Sequence, residues 1–160
     1  MRGSARWMVA MVTGTLAPLI SGAQTPARLQ GEIRSDAFVA RDLTLHLGAG
    51  VNTRVASSVR LSLVAGAGRV FEDEKSRFSA RAEVTGRFLL DPDMRARWGV
   101  YAGGGVGVRH ERSDSPHLVL ILALGAEGSR FGSLVPFVES GYGGGLRLSA
   151  GFRQARTGQR

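Results

Sequence analysis

The sequence predicts an all-β protein, an antiparallel up-and-down β-barrel of about eight strands preceded by a cleavable signal peptide. Three observations carry that prediction. Side chains alternate with a period of two in run after run, the 23 glycines sit inside those runs as well as between them, and no amphipathic helix separates one run from the next. Residues 78–90, FSARAEVTGRFLL, show the pattern most clearly. Phe78, Ala80, Ala82, Val84, Phe88 and Leu90, with Gly86 among them, fall on one face of an extended chain, and Ser79, Arg81, Glu83, Thr85 and Arg87 on the other.

Residues 1–23 have the form of an export signal: Arg2 and Arg6 give a basic start, residues 7–20 are apolar, and Ser21, Gly22 and Ala23 offer a small-residue cleavage site. Gly14 and Pro18 interrupt the apolar run, which is short for a membrane-spanning helix. The predicted organisation is therefore a signal peptide over 1–23, a barrel domain over 24–153 and a polar basic tail over 154–160. Removing the signal lowers the net charge of +8 by two.

Residues 29–39 alternate weakly and make a first strand, with Gln30, Glu32, Arg34 and Asp36 on one face. In 43–54, Leu43, Leu45, Leu47, Ala49 and Val51 oppose Thr44, His46, Gly48, Gly50, Asn52 and Arg54. A turn at 56–58 leads to 59–71, where Val59, Leu61, Leu63, Ala65 and Ala67 oppose Arg60, Ser62, Gly66 and Gly68. The charged stretch 72–76 breaks the pattern and reads as a loop before the 78–90 strand. Asp91, Pro92 and Asp93 form a turn, since proline suits its second position and aspartate bonds nearby amides. In 98–110, Trp98, Val100, Ala102, Val106 and Val108 oppose Gly99, Tyr101, Gly103, Gly105, Gly107 and Arg109. After a polar loop at 111–116, Leu118, Leu120, Leu122 and Leu124 define the next face, with Ile121 and Glu127 behind. Residues 128–133 turn the chain into 134–142, where Glu139 is the charged inward candidate. Gly143, Gly144 and Gly145 supply a tight reversal, and in 146–153 Leu146, Leu148, Ala150 and Phe152 alternate with Arg147, Ser149, Gly151 and Arg153.

The glycines decide which face points inward. On a face turned to bulk water, Gly99, Gly103, Gly105 and Gly107 weaken a strand with no return. In a narrow lumen they leave room for long arginines from neighbouring strands, so one arrangement explains both residue types. It gathers Glu32, Asp36, Glu83, Glu127 and Glu139 with Arg34, Arg60, Arg81, Arg87, Arg109, Arg147 and Arg153. Opposite signs in that number can form the paired, bidentate contacts that buried charge requires. The other faces are leucine, valine, alanine and phenylalanine with almost no charge, as a hydrocarbon band demands.

With this pattern the chain resembles the small outer-membrane β-barrels of the OmpA and OmpX-like eight-stranded type. The resemblance covers residues 29–152 and rests on the export signal, the alternating segments, the glycine-rich run WGVYAGGGVGVR and the closing run VPFVESGYGGGLRLSAGF. It implies a Gram-negative outer-membrane location, membrane lipid and lipopolysaccharide as contacts, insertion by the outer-membrane assembly machinery, a monomer, and a structural or surface-interaction role. Such barrels typically end in an aromatic residue, whereas residues 153–160 follow Phe152 here. Their aromatic girdles are represented by Trp98, Phe88, Tyr142 and Phe152.

Other chemistry finds little support. Lys75 is the only lysine, and the arginines are scattered through alternating runs instead of forming a basic patch, so no nucleic-acid partner is expected. There is no cysteine, which excludes a disulfide framework and thiolate catalysis. No phosphate-binding loop, dinucleotide fingerprint or G-x-S-x-G elbow is present, and no cofactor is expected. His46, His110 and His117 lack metal-ligand spacing and read as exposed loop histidines. Two alternatives remain: a soluble exported barrel that binds a small apolar ligand, which needs the leucine faces inward, and a lipid-modifying enzyme that brings His46, Glu139 and Ser149 together across strands.

Overall fold

The computed structural model describes residues 29–72, 75–90, 98–111 and 115–155. Eight strands follow in chain order: β1 (Gln30–Val39), β2 (Leu43–Arg54), β3 (Val59–Glu72), β4 (Lys75–Leu89), β5 (Gly99–Glu111), β6 (His117–Glu127), β7 (Leu134–Tyr142) and β8 (Leu146–Gln154). Each pairs antiparallel with the next, and β1 closes on β8, so the sheet is a complete barrel. Closure removes the unpaired edges that an open sheet of this composition would expose. The predicted signal peptide, the turn around Pro92 and most of the tail lie outside the described residues.

The register fixes the stagger of the barrel. A hydrogen-bonded row runs from Val39 through Leu146, Tyr142, Leu122, Gly104, Gly86 and Leu61 to Thr53. Extending the Gln30–Asn52 register by one residue sets Thr53 opposite Leu29, so one circuit displaces the chain from Val39 to Leu29 along the same strand. That displacement is what tilts the strands, by about 40° in barrels of this size.

Of residues 72–76, read from sequence as a loop, the described ones, Glu72, Lys75 and Ser76, are strand. β3 continues to Glu72 and β4 starts at Lys75, with Glu72 opposite Lys75 in the ladder. The charge run that broke the apolar alternation closes a long hairpin whose described ladder reaches the Glu72–Lys75 register. At the other extreme, the β7–β8 reversal is short: Gly143 N–H donates to Gly145 C=O at 3.0 Å, and Gly144 has φ +78°, a conformation that favours glycine. β7 pairs with β6 only up to Tyr142–Leu122, so residues His117 to Ile121 of β6 rise above this low turn.

Candidate functional site: an ion-paired lumen

The barrel is inverted relative to a water-soluble protein. Its outer face exposes Leu47, Leu63, Val84, Val106, Leu120, Leu124 and Leu148 among some thirty large apolar residues, while seven apolar residues are buried: Phe38, Val64, Val70, Leu89, Tyr101, Ile121 and Phe137. All twelve charged residues read from sequence as inward-facing are buried inside, namely Glu32, Arg34, Asp36, Arg60, Arg81, Glu83, Arg87, Arg109, Glu127, Glu139, Arg147 and Arg153.

Eleven of these charges form two connected clusters, and Arg109 stands apart on the Phe38 ring. Toward the β1 start, Glu32 lies opposite Arg153 in the β1–β8 register and accepts bonds from its Nε at 3.1 Å and Nη2 at 2.9 Å. Arg153 also reaches Glu127, which Arg60 grips with both terminal nitrogens. Arg87 bridges Glu32 at 3.2 Å and Glu139 at 2.8 Å. Toward the β1 end, Asp36 accepts from Arg34 at 3.0 Å, from Arg147 at 3.1 Å and from Arg81. Glu83 takes Arg147 at 2.8 and 3.1 Å and Arg81 at 2.5 Å. Arg34 joins the clusters by donating to Glu32, Asp36 and Glu139. Multiple partners per ion are what make burial of charge tolerable, because each desolvated group regains several charge-assisted bonds.

Glycine placement makes this possible. Arg34 is flanked in register by Gly48 and Gly151, Arg81 by Gly66, Arg87 by Gly103, Glu83 by Gly107, and Glu139 by Gly125. A Cβ at Gly103 would stand 3.1 Å from Arg87 Cγ, and one at Gly125 would overlap the Tyr101 ring. The inward glycines are thus the floor on which long side chains lie.

Three aromatic residues missing from the sequence-derived set also belong to the lumen. Phe38 carries the guanidinium of Arg109 at 4.3 Å from its ring centroid, with Arg81 and Arg147 at 5.1 and 5.4 Å. Phe137 does the same for Arg153 and Arg34, at 4.8 and 5.5 Å. Tyr101 lies under Arg87 and donates its hydroxyl to Glu139 at 2.8 Å. Cation–π contact gives the arginines a favourable face where no carboxylate reaches. Parity was the available signal: Phe38 lies two residues beyond Asp36, on the same face.

Other residues fall differently from the sequence reading. His46 is a buried lumen residue, not an exposed loop histidine: it lies on β2 opposite Asp36, with its ring edge-on to Phe38 at 5.6 Å. Inward parity on a strand, rather than loop position, sets its environment. The constellation of His46, Glu139 and Ser149 does not assemble. Ser149 donates to Asp36 at 2.5 Å and accepts from Arg147, Glu139 is occupied by Arg34, Arg87 and Tyr101, and neither His46 nitrogen has a hydrogen-bond partner. Among the described residues no group of acids and histidines could hold a metal ion. On the outer face, Phe71 and Phe78 add to the girdle candidates, and Arg69 projects outward opposite Phe78, donating to Ser76 Oγ at 2.8 Å.

A closed antiparallel eight-stranded barrel with an apolar exterior and a polar interior is the architecture of small transmembrane β-barrels. No protein-family model matches the chain, and no curated protein sequence matches it significantly. Solved structures do. The crystal structure of Neisserial surface protein A (NspA) superposes with a TM-score of 0.55 at 10% identity, covering 80% of this chain and 96% of that one. A structure described as de novo design of transmembrane beta-barrels gives 0.56 at 14% identity over 82% and 97%, and the solution NMR structure of de novo designed TMB2.3 gives 0.54 at 15% over 82% and 95%. The chain therefore shares the fold of the eight-stranded outer-membrane β-barrels, of which NspA is one.

Proposed function

We propose that the protein is an integral outer-membrane β-barrel with a structural or surface-interaction role, whose lumen is a structural ion-pair network and not a catalytic centre. The observation that carries this reading is the outer face: a continuous belt of exposed leucine, valine and phenylalanine around a barrel whose interior is occupied by arginine and carboxylate. In water such a belt would drive aggregation, whereas in a bilayer it is the ordinary solvent contact. Phe71, Phe78 and Tyr142 toward one end, and Phe88, Trp98 and Phe152 toward the other, are placed to meet the two interfaces. With the amino terminus in the periplasm, the long β3–β4 hairpin and the low β7–β8 turn face outward, where lipopolysaccharide is the nearest partner. Insertion by the outer-membrane assembly machinery, after export on residues 1–23, belongs to the same reading, as does a monomeric state.

The soluble ligand-binding alternative needs the leucine faces inward, and Leu43, Leu45 and Leu47 are exposed. A conducting pore is disfavoured because the arginine network fills the interior of so narrow a barrel. Fractionation of the full chain expressed with its leader tests the proposal. The protein is expected in the outer-membrane fraction after alkaline carbonate washing, with a heat-dependent shift in gel mobility; release into the soluble fraction would overturn it.

A further inference from the structure

The lumen charges do not balance. Seven arginines and five carboxylates are buried inside the barrel, and three of the arginines, Arg81, Arg109 and Arg147, line one small cavity at the end nearer the β7–β8 turn. There Arg81 and Arg109 are direct cross-strand partners on β4 and β5, a like-charge pairing that is unfavourable unless something negative lies between or beside the two. Arg81 is held by Asp36 and Glu83. No carboxylate of the described residues hydrogen-bonds Arg109: its guanidinium rests on the Phe38 ring and its Nη2 is buried without a hydrogen-bond partner. Glu111, on the same face two residues further along, attracts it electrostatically from beyond direct ion-pair distance.

A small cavity lies against these groups, lined by Phe38, Arg81, Glu83, Arg109, Ile121 and Arg147, with a volume of about 10 Å³. That is room for a single solvent-sized occupant, too little for a sulfate or phosphate. The turn closes it, since a Cβ at Gly143 would stand 3.9 Å from Arg147 Nη1 and one at Gly144 would stand 3.8 Å from Arg109 Nη1. Further buried groups at this end lack partners, namely Arg81 Nε, Ser79 Oγ and both nitrogens of His46. Three guanidiniums, the unpartnered Arg109 Nη2 and Arg81 Nε, and a monatomic-sized space coincide at one place.

We propose that this end of the lumen binds one small monatomic anion of the halide class, held by Arg109 Nη2 and the facing Arg81 guanidinium beneath the β7–β8 turn. Glu83 limits the site to a single negative charge, because its carboxylate already neutralises the Arg147 side. The anion offsets the Arg81–Arg109 repulsion, so its binding is linked to the stability of the barrel.

The test uses the full-length protein refolded in detergent micelles and crystallised in chloride, with anomalous data collected at long wavelength. One chloride peak in contact with both Arg109 and Arg81 is expected. In parallel, the thermal unfolding midpoint should rise on exchanging gluconate for chloride at equal ionic strength, and Arg109→Gln should abolish both the peak and the chloride dependence. A water at this position with no anomalous signal, or chloride found only on exposed arginines such as Arg41 and Arg130, would overturn the proposal, as would equal midpoints in chloride and gluconate. A barrel that proves soluble but still binds chloride here would overturn the membrane assignment and leave the anion site standing.

Discussion

Arg147 on β8 grips Glu83 on β4 through two bonds, Nη2 to Oε1 at 2.8 Å and Nη1 to Oε2 at 3.1 Å, across the full width of the lumen. The two strands are not neighbours in the sheet, so this pair ties opposite walls of the barrel together. Replacing Glu83 by glutamine keeps its shape and removes its charge, leaving Arg81 and Arg147 with less negative charge to share. Breaking a buried pair from one side costs about 3 kcal/mol or more. Glu83→Gln should lower the urea midpoint of the folded barrel in lipid vesicles accordingly, and the Glu83→Gln/Arg147→Met double variant should recover part of the loss. An unchanged midpoint in the single variant would remove the structural role assigned to the network.

Gly125 lies beneath the Tyr101 ring, and any side chain there collides with it. Gly125→Ala should destabilise the barrel by about 1–3 kcal/mol, as overpacking of a filled interior does. Tyr101→Leu in the same molecule should relieve the collision, so the two changes together should cost less than their sum. Tyr101→Phe alone keeps the ring and loses only the bond to Glu139, at a cost of about 1.5 kcal/mol for a hydrogen bond to a charged acceptor. Additive losses in the urea midpoint for Gly125→Ala and Tyr101→Leu would contradict the packing.

Val84 sits on the outer face in the row Leu63, Val84, Val106 and Leu120, midway along its strand. In a bilayer, Val84→Arg should cost about 2–4 kcal/mol, and Leu118→Arg, close to the β6 start, about 0–1 kcal/mol. A water-exposed face would tolerate both substitutions equally. The comparison is read from the equilibrium between folded and unfolded protein in vesicles, and similar values at the two positions would count against a depth-dependent environment.

Much of the strand order was legible in the sequence because a period of two and a change of turn chemistry are local signals. The boundaries of β2, β5, β7 and β8 fall within a residue of those read from alternation. The extension of the β3–β4 ladder to Glu72 and Lys75 was not legible, since the charge run interrupts the apolar alternation that marks a strand. Parity also placed the twelve charged residues on inward faces, yet it could not say which pairs with which. Arg34 and Glu139, 105 positions apart, meet through barrel closure and stagger, which no local pattern contains. The aromatic platforms were hidden for a related reason. Phe38 and Phe137 look like lipid-facing residues by type; parity with Asp36 and Glu139 sets them inward, and the guanidiniums over their rings give that position a favourable contact.

The central expectation is that the apolar face meets acyl chains while residues of the same type inside do not. It is tested most directly by nuclear Overhauser transfer from lipid acyl protons to selectively labelled methyl groups of the protein in nanodiscs. Val84, Val106 and Leu120 are exposed on the outer face, and Val64 and Ile121 are buried in the lumen. Strong transfer to the first three and none to Val64 or Ile121 is expected. Transfer to Val64 and Ile121 that equals or exceeds that to Val84 would contradict it.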